Sequence, residues 1–220
     1  MSGNLHDRLR RLDTCAVSDA LDKLELAGAV TGFTQFSGHG KISGRVITVT
    51  LGPGSASAAP SRHLCAGAIE SSEPGDVIVV EHRSGVVCGG WGGLLSLGAK
   101  VKGVAGVIVE GYARDIEDCR AVDFPVFARA VTMRTARGRI VERAFNEAIQ
   151  VGDIRVRPGD YVVADASGAV FVAADQADRV LAEAERIAAR EAAMSKAILD
   201  GKPIGQVMGA DYEHMLSERE

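Results

Sequence analysis

The 220-residue chain has little of several things that usually point to a function. Aromatic side chains make up 5% of it, so the composition argues against an aromatic binding groove. Basic charge is not in excess. The 25 Lys and Arg against 29 Asp and Glu leave a net charge of −4 spread along the chain, which excludes the electrostatic footprint of a nucleic-acid or anionic-membrane partner. No apolar run approaches the length of a membrane span, and "MSGNLHDRLRRLDTC" at the N-terminus lacks the apolar stretch of a signal peptide. The chain therefore reads as soluble and cytoplasmic. Cys15, Cys65, Cys88 and Cys119 stand far apart without a CxxC pair or a Cys–His zinc spacing, so they read as reduced, small buried hydrophobes. A dinucleotide fingerprint is missing as well, because "GGWGG" is not GxGxxG and no acidic residue follows at the usual distance, which also excludes a nucleotide-dependent methyltransferase.

What is present is a chain 46% hydrophobic with 26 glycines, enough for one globular unit over residues 1–220 with close backbone packing and tight turns. In "TCAVSDALDKLEL" the apolar spacing predicts a helix capped by Ser18 and stopped by Gly28. "GKISGRVITVTLGPGS" predicts a strand closed by a tight loop, and "SRHLCAGAIESS" a helix leading into the turn "EPGD". The unbroken "VIVVEH" reads as a strand buried on both faces. Glycines 89, 90, 92 and 93 form a loop that opens a helix over Leu94 to Lys102, apolar on nearly every side and expected to be buried. "VAGVIV" then reads as a parallel partner of "VIVVEH", and "FPVFARAV" as another strand. "IRVRPGDYVVADASGAVFVAA" predicts two or three strands joined by hairpin-type turns. A last helix, from about Gln176 to Leu199, carries Val180, Ala184, Ile187, Met194 and Ile198 on one stripe. The fold class is α/β with a mixed sheet.

Chemistry concentrates in "VEGYARDIED", where a buried strand runs into Arg114, Asp115, Glu117 and Asp118. Loops beyond the carboxyl ends of strands are where α/β sheets bind ligands. An arginine can fork onto a carboxylate, and carboxylates with waters suit a hard cation such as Mg²⁺. If the strands flanking the 94–102 helix are parallel neighbours, the free N–H groups of Gly92 to Leu95 face an anion beside Arg114. His63 and His82 sit near element ends, where packing or surface roles are the plainer reading.

These strings resemble the RraA-like family, which includes class II pyruvate aldolases such as 4-hydroxy-4-methyl-2-oxoglutarate aldolase. "TCAVSDALD", "EPGDVIVV", "WGGLLSLGAKVKGVAGVIVEGYARD" and "FPVFAR" occur in the family's order. The resemblance implies a layered mixed sheet of the swivelling phosphohistidine-domain-like type. It also implies a homotrimer or homohexamer with sites between protomers, and a C-terminal helix at a subunit interface. From such a helix Glu191 could reach a neighbouring site. Carried over residue by residue, it implies substrate binding by Gly92, Gly93, Leu94, Leu95 and Arg114, and a Mg²⁺ or Mn²⁺ ion held at Asp115.

One position departs from the aldolases, which carry an acidic residue where this chain has Gly93. A second pattern in the family pairs that glycine with an acidic residue at the place of Asp118 and is associated with oxaloacetate decarboxylation, so Asp118 joins Asp115 as a catalytic and metal candidate. The resemblance thus implies a metal-dependent lyase cleaving the C3–C4 bond of a small 2-oxo acid. The residues do not identify the base that retro-aldol cleavage also needs. A rival from another class is a non-catalytic regulator that binds a ribonuclease or another protein partner.

Overall fold

The structure, a computed structural model, describes residues 5–55 and 62–209. Its strands are β1 (Ala29–Val30), β2 (Thr34–Ser37), β3 (Ile42–Pro53), β4 (Val77–Glu81), β5 (Gly106–Ala113), β6 (Val126–Val131), β7 (Ile140–Phe145), β8 (Ile149–Val151), β9 (Ile154–Val156), β10 (Tyr161–Asp165) and β11 (Gly168–Val172). The helices are α1 (Leu5–Leu9), α2 (Thr14–Lys23), α3 (Ala66–Ser71), α4 (Gly93–Lys102), α5 (Ile116–Ala121), α6 (Ala177–Leu199) and α7 (Ile204–Val207). None of the described helices is long and apolar enough to cross a membrane.

Nine strands form one mixed sheet in the order β1-β11-β10-β3-β4-β5-β6-β2, with β7 also paired to β3. Its centre, β3 to β6, is parallel, and α3, α4 and α5 make the crossovers that parallel neighbours require. The expected pairing of "VIVVEH" with "VAGVIV" is observed, running from Val77 opposite Gly106 to Glu81 opposite Glu110. Their apolar runs are unbroken because both faces are covered. Ile78 and Val80 pack with Trp91, Val107 and Phe124 on one side, while Val77 and Val79 pack with Ile108, Phe127 and Val151 on the other. Each fully buried Val or Ile contributes roughly 1.5–3 kcal/mol, so this four-strand centre is the rigid part of the sheet.

Several expectations needed correction. Asp13, rather than Ser18, caps α2, its Oδ1 accepting the Ala16 N–H at 2.8 Å. The helix ends at Lys23, well before Gly28, because Glu25 turns left-handed and the Leu26 N–H folds back to the Leu21 carbonyl at 2.9 Å. Helix α3 starts only at Ala66, since Cys65 is itself left-handed, and Ser61 lies outside the described residues. Helix α4 is not buried all round: Leu94 is 86% exposed, Leu97 45% and Val101 82%, while Gly93, Ser96 and Ala99 face the sheet. Pro158-Gly159-Asp160 does not close a hairpin, because β9 pairs back to β8; the turn before Gly168 does, joining β10 to β11. Cys15 is exposed, unlike the three buried cysteines.

Helices α1, α2 and α6 cover the β10–β11 end through Leu9, Val17, Leu21, Leu181 and Ala184. Along α6 the stripe is buried through Val180, Ala184 and Ile187, and Met194 is half-buried, but Ile198 and Leu199 are exposed. Asp165 clamps the start of α2 to the end of β10. It accepts the Thr14 hydroxyl at 2.7 Å, the Thr14 N–H at 3.0 Å and the Ser167 N–H at 2.8 Å.

Burial alone would push the Asp165 carboxyl up, but the hydrogen bonds from Thr14 and Ser167 outweigh it and hold the group below the usual carboxylate range. A depressed pKa of this kind stabilises the fold above the ordinary value and is lost as pH falls through the folded value. Asp165→Asn should therefore lower the urea midpoint at pH 7, and the gap from wild type should close below about pH 4, as read in parallel titrations.

Candidate active site

Beyond the end of β4 the chain returns to β5 after residues 83–89. The Gly90 N–H bonds the Tyr112 carbonyl at 2.8 Å, Trp91 bridges Ala113, and the Arg114 N–H returns to the Trp91 carbonyl at 2.9 Å. The glycine loop and the Arg114-Asp115 turn are thereby stitched side by side, and α4 and α5 start immediately after them. The glycines are a packing requirement. A Cβ at Gly89 would meet Arg114 Cγ at 2.5 Å, and one at Gly92 would meet Asp115 Oδ2 at 2.7 Å.

The expected loop after "VAGVIV" is shorter than the string implied. β5 continues to Ala113 and α5 begins at Ile116, so Glu117 and Asp118 belong to a helical first turn instead of a loop. Asp115 precedes that helix in a left-handed conformation (φ 51°, ψ 43°), which costs about 1–2 kcal/mol for most residues and less for aspartate. Its Oδ1 accepts Arg114 Nε–H at 2.9 Å and its Oδ2 faces the Gly93 N–H at 3.4 Å. Because both partners of the Arg114–Asp115 pair are about one-third exposed, it adds at most about 1 kcal/mol of stability, and its consequence is orientation. Glu117 turns away to Arg120 Nη1 at 2.7 Å.

Arg114, Asp115, Gly92, Gly93, Leu94 and Leu95 all line one cavity of about 960 Å³. The Ser96 N–H is taken by the Gly92 carbonyl and Gly93 leans to Asp115, so Leu94 and Leu95 present the open N–H groups of the α4 N-terminus. Asp118 does not line this cavity; it stands directly behind Gly93, where an added Cβ would meet Asp118 Cβ at 2.6 Å and Oδ2 at 3.0 Å. Its carboxylate occupies the space that a side chain at position 93 would enter.

No cluster of three or more His, Cys, Asp or Glu ligands is found among the described residues. Two carboxylates flanking Gly92 and Gly93 suit an ion that keeps most of its waters, as Mg²⁺ does, and do not suit a zinc cage. The buried underside of the site is neutral. His82 donates from Nε2 to the Cys88 carbonyl at 2.6 Å, and its burial lowers its pKa, so it fills space beneath Gly90 and Gly111 rather than reaching the cavity. Burial pushes the Cys119 thiol up, and Ser96 Oγ lies 3.2 Å from its sulfur.

The far wall was not legible in the sequence, apart from His63. It comprises Arg62, His63, Leu64, the 135–138 segment, and Ile140, Val141 and Glu142 on β7. Glu142 accepts the Cys65 N–H at 2.7 Å, a charge-assisted bond of about 1.5–3 kcal/mol that offsets the roughly 1–2 kcal/mol cost of the left-handed Cys65 backbone. Burial, with the Glu142 charge adding to it, raises the Cys65 thiol well above its usual value, and its Sγ–H donates to the Gly90 carbonyl at 3.6 Å.

Comparison with known proteins finds relatives in both sequence and fold. The family model RraA-like: Aldolase/RraA matches residues 14–171. A Halalkalibacterium halodurans protein named "Putative 4-hydroxy-4-methyl-2-oxoglutarate aldolase" is 30% identical over 193 residues, covering 88% of each chain. Protein DlpA of Legionella pneumophila is 26% identical over 203 residues, 92% of this chain, which spans only 33% of DlpA's length. The structure of Streptomyces coelicolor RraAS2, described as an unusual member of the RNase ES inhibitor RraA protein family, superposes with a TM-score of 0.75 at 26% identity, covering 87% of this chain and 95% of that one.

Two outcomes test the packing. Ser96 Oγ accepts the Trp91 Nε1–H at 2.9 Å inside the core, so Ser96→Ala should cost about 1–3 kcal/mol and shift the emission of this single tryptophan, read by fluorescence-monitored unfolding. Gly93→Asp should lower stability by about 1–3 kcal/mol through its clash with Asp118, and adding Asp118→Gly should restore the melting temperature.

Proposed function

The chain belongs to the RraA-like family, and from that premise we propose that it is a divalent-cation-dependent carbon–carbon lyase acting on small 2-oxo acids. The reaction is cleavage of the C3–C4 bond to release pyruvate, by decarboxylation of oxaloacetate, retro-aldol cleavage of a 4-hydroxy-2-oxo acid, or both. The observation that carries this reading is the convergence of the Arg114 guanidinium, the open N–H groups of Leu94 and Leu95 and the Asp115 carboxylate on one cavity. The aldolase name of the Halalkalibacterium halodurans relative supports it.

In this reading Arg114 and the α4 N-terminus hold the C1 carboxylate, each supplying positive charge where the substrate is negative. Asp115 keeps the guanidinium in place through Nε and, with Asp118, holds the cation. When bound, that cation supplies Lewis-acid stabilisation of the charge that develops on the C2 oxygen. Asp118 replaces the acidic side chain that the aldolases carry at the place of Gly93, a substitution supported by the way its carboxylate fills the space that a side chain at position 93 would enter. The exposed Leu94, Leu97 and Val101 stripe beside the cavity supports assembly as a homotrimer or homohexamer.

Purified protein with Mg²⁺ or Mn²⁺ should release pyruvate from oxaloacetate or a 4-hydroxy-2-oxo acid and should stop in EDTA. Release from neither substrate would overturn the reading and favour a non-catalytic regulator. Arg114→Ala should lower kcat/KM by at least about 10²-fold. Asp118→Ala should weaken Mn²⁺ binding at least about tenfold by calorimetry, a readout independent of turnover; unchanged binding would remove Asp118 from the cation site.

A further inference from the structure

We propose that Glu142 is the general base of retro-aldol cleavage, taking the proton from the C4 hydroxyl of the substrate; this rests on the lyase reading above. Cleavage of a 4-hydroxy-2-oxo acid needs a base that decarboxylation does not, and that base must face the half of the substrate distant from C1. Glu142 lines the same cavity as Arg114, Asp115 and the α4 N-terminus, but from the wall that β7 contributes.

The site's other carboxylates are committed. Asp115 is engaged by Arg114 and faces Gly93, and Asp118 stands behind Gly93 without lining the cavity. Among the described residues Glu142 has one hydrogen-bond anchor, the Cys65 N–H at 2.7 Å on Oε2, and a carboxylate has about four lone-pair positions, so acceptor capacity is left for a substrate hydroxyl. That anchor also fixes it relative to the substrate loop. Cys65 is fully buried and bonds the Gly90 carbonyl, Gly90 rests on Leu51, and Leu51 is the β3 partner of Glu142. The neighbouring thiol does not compete for the role, because burial keeps Cys65 protonated. His63, an imidazole on this wall, is exposed and among the described residues bonds the adjacent Leu64 carbonyl.

The balance is simple. Glu142 takes the C4 O–H proton as that oxygen becomes a carbonyl, and the C3–C4 bond breaks with its electron pair passing to the pyruvyl fragment. Glu142 then loses its proton to solvent, and C3 takes one from water. In oxaloacetate the same bond breaks with carbon dioxide leaving, and there is no hydroxyl proton to remove.

The test compares pyruvate release from oxaloacetate and from 4-hydroxy-4-methyl-2-oxoglutarate by wild type, Glu142→Gln, Glu142→Asp and His63→Gln. Glutamine keeps an acceptor for the Cys65 N–H. Glu142→Gln should lower kcat for the hydroxy acid by roughly 10²–10⁴-fold, with KM and the oxaloacetate rate within a few-fold of wild type. Glu142→Asp should recover part of the loss, and His63→Gln should not remove the retro-aldol reaction selectively. Equal losses in both reactions with Glu142→Gln, or no loss in either, would overturn the proposal, as would His63→Gln abolishing only the retro-aldol reaction. If Glu142→Gln melts early, the charge-keeping Glu142→Asp decides: equal loss in both reactions marks a structural role. A wild type that decarboxylates oxaloacetate but leaves the hydroxy acid intact would overturn the base assignment and leave the lyase reading standing. Inactivity towards both substrates would remove that reading and the base with it.

Discussion

The site depends on two main-chain hydrogen bonds, Gly90 N–H to the Tyr112 carbonyl and Arg114 N–H to the Trp91 carbonyl. They carry the β4–β5 pairing past the end of β4, so the glycine loop is held like a further piece of strand against β5. The glycine-loop and Arg114 side of the cavity follows from that stitch. Helix α4 opens where the loop ends and α5 where β5 ends, and the Arg114 side chain lies across Gly89 and Gly92 because neither has a Cβ. Trp91 is the nail under this seam: it is stacked on Phe124 with ring centroids 6.2 Å apart and tied through Ser96 to the Cys119 sulfur below α5.

The same crowding explains how a carboxylate can change its place in the chain. Position 93 and position 118 point at one volume, and Asp118 Cβ sits where a Gly93 Cβ would go. Only one of them can carry a side chain there without displacement. Glycine at 93 and aspartate at 118 are thus a sterically coupled pair.

The parallel centre of the sheet and the Arg114-Asp115 wall were legible because both are local. "VIVVEH" and "VAGVIV" are unbroken apolar runs, and the helix between them fixes their direction. Errors arose where burial or backbone conformation is decided from a distance. Leu94, Leu97 and Val101 looked like core residues because periodicity counts apolar positions and cannot say whether a second layer covers them. The left-handed backbones at Glu25, Cys65 and Asp115 carry no glycine to mark them, so the ends of α2, α3 and β5 were misplaced. Glu142 could not be found at all: it sits in "IVERAF", an ordinary alternating strand, and reaches the cavity only because β7 pairs antiparallel with β3.

That difference in legibility separates two physical tasks. In the proposed reading, charge stabilisation at the C1 and C2 end of a 2-oxo acid needs a cation, an arginine and helix N–H groups at fixed separations, and the one contiguous stretch from Gly89 to Asp118 would supply the protein's share. The opposite wall of the cavity holds Arg62, Arg137 and Glu142, drawn from distant segments and held by the αL turn at Cys65 and by β7. Strand β7 pairs with the far part of β3, and Glu142 is joined to the β4–β5 stitch through Cys65 and Gly90. In the proposed lyase reading the fold keeps one electron sink at C1 and C2, while the β7 wall sets which fragment departs from C3, carbon dioxide or a carbonyl compound.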